Sequence, residues 1–200
     1  MGRMICTSTQ VVADSFSDVI DPIWTLRRPT PSDAHELARV HTQCWRETYG
    51  MRLPTDPTEA SALERRQELW SGLVRDEPDG QRLMLAEAGD EVIGFAMAVP
   101  TDHDNPPSTQ LRMLYVLRRH HGSGAGQALL DAVVGSEPCQ LWVARENPRA
   151  HRFYRRNGFV PDGTEKQDER AGGLWVMHWV RQQMPAVVGP AGIEPTTPAV

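Results

Sequence analysis

Leu114-Tyr115-Val116-Leu117-Arg118-Arg119-His120-His121-Gly122-Ser123-Gly124-Ala125-Gly126-Gln127-Ala128-Leu129-Leu130 reads as strand, glycine loop and helix. Three glycines at alternate positions remove side chains where a backbone turns tightly and comes close to a ligand. The following helix, predicted over 127–134, points free N–H groups back at the loop. Such an end attracts phosphate. A pyrophosphate suits the backbone N–H groups of Gly122, Ser123, Gly124, Ala125, Gly126 and Gln127, with the Ser123 hydroxyl as a further donor. The run lacks the Gly-Lys-Ser/Thr ending of a nucleoside triphosphate loop, and its spacing differs from the dinucleotide Gly-x-Gly-x-x-Gly pattern.

Working outward, Trp24-Thr25-Leu26-Arg27 suits a first strand, stopped by Pro29 and Pro31. Ser32 offers an N-cap, and Leu37, Val40, Cys44 and Trp45 recur at helical spacing towards Tyr49. A second helix is expected over 58–74 with Ala62, Leu69 and Leu73 on its buried side. Strands over 82–86 and 91–99 flank a Gly89-Asp90 turn, and the proline-containing stretch 101–108 is a loop. A strand over 111–117, apolar enough to be covered on both faces, leads into the glycine loop. Beyond the helix come a strand (140–144), a helix (148–156), a short strand (159–161) and a last strand (174–180). This order implies an α/β (α+β) sheet domain rather than a helical bundle. Residues 1–22 read as a loosely held extension, 23–182 as the domain, and 183–200 as a Pro/Gly-rich tail. Gly192-Ile193-Glu194-Pro195 can be encoded by GGG-ATC-GAA-CC, whose reverse complement resembles the T-arm of a transfer RNA gene. Overlap with such a gene on the opposite strand is one hypothesis for the tail and an ordinary extension is the other; the nucleotide sequence there decides.

Composition narrows the function. A formal charge of -5 with scattered Lys and Arg argues against a general nucleic-acid footprint. No apolar run approaches the ~18 residues of a membrane span, and Met1 to Asp21 carries three aspartates without a signal-like apolar block. Cys6, Cys44 and Cys139 are widely spaced and read as reduced thiols of a cytoplasmic protein.

At His121-Gly122-Ser123-Gly124-Ala125-Gly126 the sequence resembles the coenzyme A motif of the GCN5-related N-acetyltransferases, with His in the leading Arg/Gln place. Arg119 leads an alternative register. Leu141-Trp142-Val143-Ala144-Arg145-Glu146-Asn147-Pro148-Arg149-Ala150-His151-Arg152-Phe153-Tyr154-Arg155-Arg156-Asn157-Gly158-Phe159 is similar to the same family's strand, Asn, helix, Phe-Tyr, Gly-Phe segment. The resemblance implies a central mixed, mostly antiparallel sheet flanked by helices. It also implies acetyl-coenzyme A as cosubstrate and a small-molecule or peptide amine as acceptor, acetylated by direct attack in a ternary complex. An acyl-coenzyme A-binding module with little turnover is the alternative.

The resemblance further implies a role for each matching residue. Leu114 and Val116 offer backbone groups to the thioester, a bulge near them splaying the strand. His121 helps hold the pyrophosphate, and its charge would make coenzyme affinity vary with pH. Asn147 bonds the pantetheine arm or nearby backbone; from the sequence it also suits an N-cap before Pro148. Tyr154, with a reference pKa near ~10, can protonate the leaving thiolate. The base is less plain, because Gln110 stands where relatives carry glutamate. Glu47 and His103, the latter between Asp102 and Asp104, are the candidates. Trp45 and Trp70 read as core, and a last strand over 174–180 can pair across a homodimer.

Overall fold

Alternation along the strands sorts the apolar side chains of this chain into two layers, one on each face of a single sheet. The computed structural model describes residues 24–50, 59–101, 107–169 and 172–182, with side chains of the second helix described from residue 63. The expectations for 1–22 and 183–200 lie outside them. The elements are β1 (Thr25–Arg27), α1 (Ala34–Tyr49), α2 (Glu59–Arg75), β2 (Arg82–Ala88), β3 (Glu91–Pro100) and β4 (Thr109–Val116), followed by α3 (Ala125–Val133), β5 (Cys139–Ala144), α4 (Pro148–Arg156), β6 (Val160–Asp168) and β7 (Leu174–Arg181). They build a seven-stranded sheet in the order β1-β2-β3-β4-β5-β7-β6. The β4–β5 pair is parallel and the others antiparallel.

On one face, Leu37, Val40 and Cys44 of α1 and Trp70 of α2 pack on Leu85, Phe95, Met97 and Tyr115. On the other, Leu129, Leu130 and Val133 of α3 and Tyr154 of α4 pack on Ile93, Ala96, Leu111, Val143 and Trp179. Trp70, expected in the core, is fully buried, whereas Leu69 is 42% exposed. The buried stripe of α2 therefore runs through Leu63, Trp70, Leu73 and Val74, because the indole supplies more apolar area than the leucine beside it.

Two expectations are corrected at the far edge. β7 lies between β5 and β6, so both its edges are already paired and it cannot join a second copy. β6 extends to Asp168 rather than stopping near Pro161. Its sequence, with Pro161 and Gly163 and no apolar alternation, is held by the ladder to β7 and by no buried face, which is why periodicity does not reveal it.

The start of the domain is fixed electrostatically. Arg27 forks onto Asp33 through two 2.8 Å bonds and onto Glu87 at 2.7 Å, while Asp33 also accepts the Thr30 N–H and hydroxyl. Those bonds, the Arg27 ones foremost, hold the Asp33 carboxyl far below the usual carboxylate range. A depressed folded-state pKa gives stability that is present above the unfolded value and lost as pH falls through the folded one. Replacing Asp33 with Asn is expected to cost about 1–3 kcal/mol in urea unfolding at pH 7. The wild type should keep that margin at pH 4 and lose it only in stronger acid.

Candidate active site

β4 and β5 part almost as soon as they meet. Their parallel pairing covers Gln110 with Gln140 and Leu111 with Leu141. In the next register Arg112 is an extra residue of β4, since Ala98 pairs Leu111 while Met97 pairs Met113. This bulge sits two to four residues before the place the sequence suggested. It changes which side chains face which layer: Leu111, Leu114 and Val116 look towards α3 and α4, whereas Met113 and Tyr115 look towards α1 and α2. The closed end of the gap is tied by Gln140, which donates to the Pro107 carbonyl at 2.6 Å and meets His178 at 2.9 Å; the other His178 ring nitrogen lies 2.6 Å from Asp162.

On its other side, the end of β4's open stretch is pressed against β3. A Cβ on Gly94 would stand 2.6 Å from the Tyr115 carbonyl oxygen, so only glycine allows this approach. The Leu117 N–H donates to the Ile93 carbonyl at 2.9 Å. By antiparallel alternation, Tyr115 then bonds towards β3 while the backbone groups of Leu114 and Val116 turn into the gap. Both residues singled out from the sequence thus line the opening with main-chain polar groups.

The glycine loop closes the wide end. Gly122 and Gly124 both have φ of 87°, and Gly124 caps α3 directly. No atom would meet a Cβ on Gly122 within 4 Å, so this face is open, and the N–H groups of Gly122, Gly124 and Gly126 have no acceptor among the described residues. Trp24 pins the loop from behind by donating its indole N–H to the Ser123 carbonyl at 3.0 Å. The Ser123 hydroxyl is turned to the Ala125 N–H at 3.4 Å. Gln127 binds Asp131 and Asn157, so its side chain locks α3 to α4 and only its backbone belongs to the loop. Arg152 and Arg118 both lie close enough to repel Arg149, whose pKa is lowered by burial and then by that repulsion. Open N–H groups beside converging cations fit an anionic phosphate.

His121 does not reach outward. Its Nε2 lies 2.8 Å from the Val116 carbonyl, and Nδ1 is buried without a partner. Burial, and then the charge of Arg149, push its pKa below the ordinary histidine value. Held on the Val116 carbonyl, the ring fixes the strand-to-loop turn.

Groups from the two layers meet inside the gap. Tyr154, on α4, is buried, and burial raises its phenol well above the ordinary tyrosine value, with smaller contributions from Tyr49 and Cys139. No group hydrogen-bonds its hydroxyl among the described residues. Asn147 caps α4 by accepting the Ala150 N–H at 3.0 Å, so its side chain is engaged by protein. Trp45 is half-buried at this boundary, not in the core, and donates to the Tyr115 hydroxyl at 3.0 Å. Tyr49 and Tyr115 went unremarked in the sequence. The alternation that turns Leu114 and Val116 one way signals that Tyr115 faces the other; Tyr49 packs its ring 5.0 Å from that of Trp45.

Glu47 is held away from proton abstraction. Its carboxylate accepts Gln43 and the Arg118 N–H, each at 2.8 Å, and the Arg118 guanidinium returns to the Glu47 carbonyl. Burial opposes its ionisation, but the bonds from Gln43 and Arg118 and the nearby positive charge outweigh burial and lower its pKa. These bonds make Glu47 an anchor for the turn before the loop. His103 lies outside the described residues.

A mixed sheet split between its parallel strands, with a glycine loop at the mouth, defines an acyl-coenzyme A N-acyltransferase fold. Residues 34–159 match the model of the acetyltransferase (GNAT) family, and the chain belongs to that family. It is 34% identical over 93 residues to an uncharacterised N-acetyltransferase of Mycobacterium tuberculosis, covering 43% of this chain and 58% of the relative. It is 34% identical over 119 residues to a mycothiol acetyltransferase of Thermobispora bispora, covering 58% of this chain and 35% of that protein. The chain thus spans little more than half the length of the mycobacterial relative. Its fold matches that of the PaiA N-acetyltransferase of Thermoplasma acidophilum in complex with coenzyme A, with a TM-score of 0.60 and 22% identity, over 80% of this chain and 99% of that one.

Replacing Gly124 with Ala puts a side chain on a left-handed backbone at the first turn of α3. The expected result is a loss of about 1 kcal/mol or more of stability, and at least a tenfold weaker coenzyme A affinity by calorimetry. Unchanged affinity would remove the loop from the binding site.

Proposed function

We propose that the protein is an N-acetyltransferase that moves the acetyl group of acetyl-coenzyme A to a primary amine, of a small molecule or a peptide N-terminus, by direct attack in a ternary complex. The observation that carries this reading is the gap between β4 and β5, with open loop N–H groups at its mouth and the buried Tyr154 of α4 packed with Leu111 and Val143 of those strands. The pyrophosphate rests on the N–H groups of the 122–127 loop beside Arg118 and Arg149. The pantetheine arm runs along β4, and an N–H of Leu114 or Val116 receives the thioester oxygen as it gains charge. Asn147 serves by setting the start of α4. Buried thiols at Cys44 and Cys139 support a reducing, cytoplasmic setting.

An amine attacks only when neutral, and its proton leaves to water. The N–C bond forms as the C–S bond breaks, and the departing thiolate takes its proton from Tyr154, which is then reprotonated by solvent. The raised pKa of this phenol keeps it protonated through the neutral range. The test is calorimetric titration with acetyl-coenzyme A followed by thiol release against a panel of amines. Binding with amine-dependent release is expected; binding without release would favour an acyl-coenzyme A-binding module, and no binding would defeat the proposal. Replacing Tyr154 with Phe should lower kcat by about 100-fold or more while acetyl-coenzyme A affinity changes less than threefold. A wild-type kcat in that variant would assign the proton to another donor.

A further inference from the structure

Among its side chains the protein has a single primary amine. Lys166 is the only lysine of the chain, and the rest of its 21 lysines and arginines are arginines. The Lys166 Nζ lies 3.8 Å from the centre of the Trp142 ring, a cation–π contact between β6 and β5.

Strand register places that contact beside the gap. Leu141 is the last residue of β5 paired with β4, so Trp142 is the first to border the open stretch. Leu141 and Val143 pack under α3 and α4, which turns Trp142, between them, to the opposite face. Lys166 pairs with Val176, and Val176 with Ala144, two residues on from Trp142, so Lys166 stands on that same face. Met113 and Tyr115 of β4 look the same way from across the gap. The apolar layer beneath α1 and α2 draws its sheet residues from β2, β3 and β4 and takes none from β5, β6 or β7. Lys166 itself is exposed, so water can take up its proton. His178 of β7 lies 2.6 Å from Asp162 of β6 and 2.9 Å from Gln140 of β5, which holds the strand carrying Lys166 in place. A flexible four-carbon stem then lets the nitrogen leave the indole for the gap.

We infer that Lys166 is an internal acceptor, acetylated within one molecule by the acetyl-coenzyme A bound to that molecule. Nζ attacks the thioester carbon as the neutral amine. The N–C bond forms as the C–S bond breaks, the amine proton leaves to water, and the thiolate takes its proton from Tyr154. An amine tethered beside the thioester replaces a bimolecular encounter with a unimolecular step. Acetylation removes the charge and with it the cation–π contact, so the modified chain releases the face of the Trp142 ring. This inference rests on the transferase reading and adds a substrate to it.

The experiment incubates the full chain, first shown by mass to be unmodified at Lys166, with deuterated acetyl-coenzyme A and no added amine. Intact mass and peptide mapping should find one deuteroacetyl group, on Lys166, and none on that peptide in the Lys166→Arg variant. The rate constant should stay the same over about a tenfold range of protein concentration. It should also saturate with acetyl-coenzyme A near the dissociation constant found by calorimetry. A rate constant that rises in proportion to protein would make the transfer intermolecular, and a rate linear in acetyl-coenzyme A would make it solution chemistry; either overturns the inference. A Lys166 that stays free of acetyl in a preparation that acetylates added amines overturns it too, and leaves the transferase reading standing. Acetyl-coenzyme A binding with no transfer to Lys166 or to any added amine removes that reading, and this inference with it.

Discussion

The parallel contact between β4 and β5 ends after Leu111, and the site exists because of that early end. A parallel ladder continued to Val116 would turn the polar backbone groups of Leu114 and Val116 into ordinary sheet bonds. The Arg112 bulge prevents this by adding one residue to β4 against β3. Main-chain donors are thereby left beside a gap into which α1 and α4 both project.

Keeping such a gap open demands rigidity around it. Gly94 lets β3 press close to β4, so the open strand is held firmly along its remaining partner. Gln140, His178 and Asp162 secure the closed end across β5, β7 and β6. At the wide end, His121 holds the Val116 carbonyl, Trp24 holds the Ser123 carbonyl, and Glu47 holds the Arg118 N–H. Each of these contacts uses a polar side chain to fix backbone near the ligand rather than to touch the ligand. This division of labour explains why His121 and Glu47, both polar and both beside the site, serve as supports.

The parts of this arrangement written in local sequence were legible. Alternation and helical spacing located both layers, and the glycine pattern located the loop, because each depends on residues within a few positions of one another. β6 was hidden because an edge strand bonded only to β7 has no burial pattern to display. Leu69 was misread because the pattern alone does not rank a leucine against the tryptophan next to it. The contacts of His121 with Val116 and of Glu47 with Arg118 were hidden for a different reason: a polar residue's partners depend on which groups fold against it.

By itself, the sequence determined the order of elements, the glycine-lined mouth, the cap at Asn147 and the presence of a phenol on α4, since backbone propensity and residue spacing suffice for these. Only the tertiary structure decided where β4 leaves β5, that Trp45 reaches the Tyr115 hydroxyl, and that Glu47 and His121 are already engaged. Those outcomes depend on strand register and on contacts between residues as far apart as Glu47 and Arg118 or Trp45 and Tyr115. Hydrogen bonds of that kind form only after the layers have packed, and no local pattern in the chain encodes them.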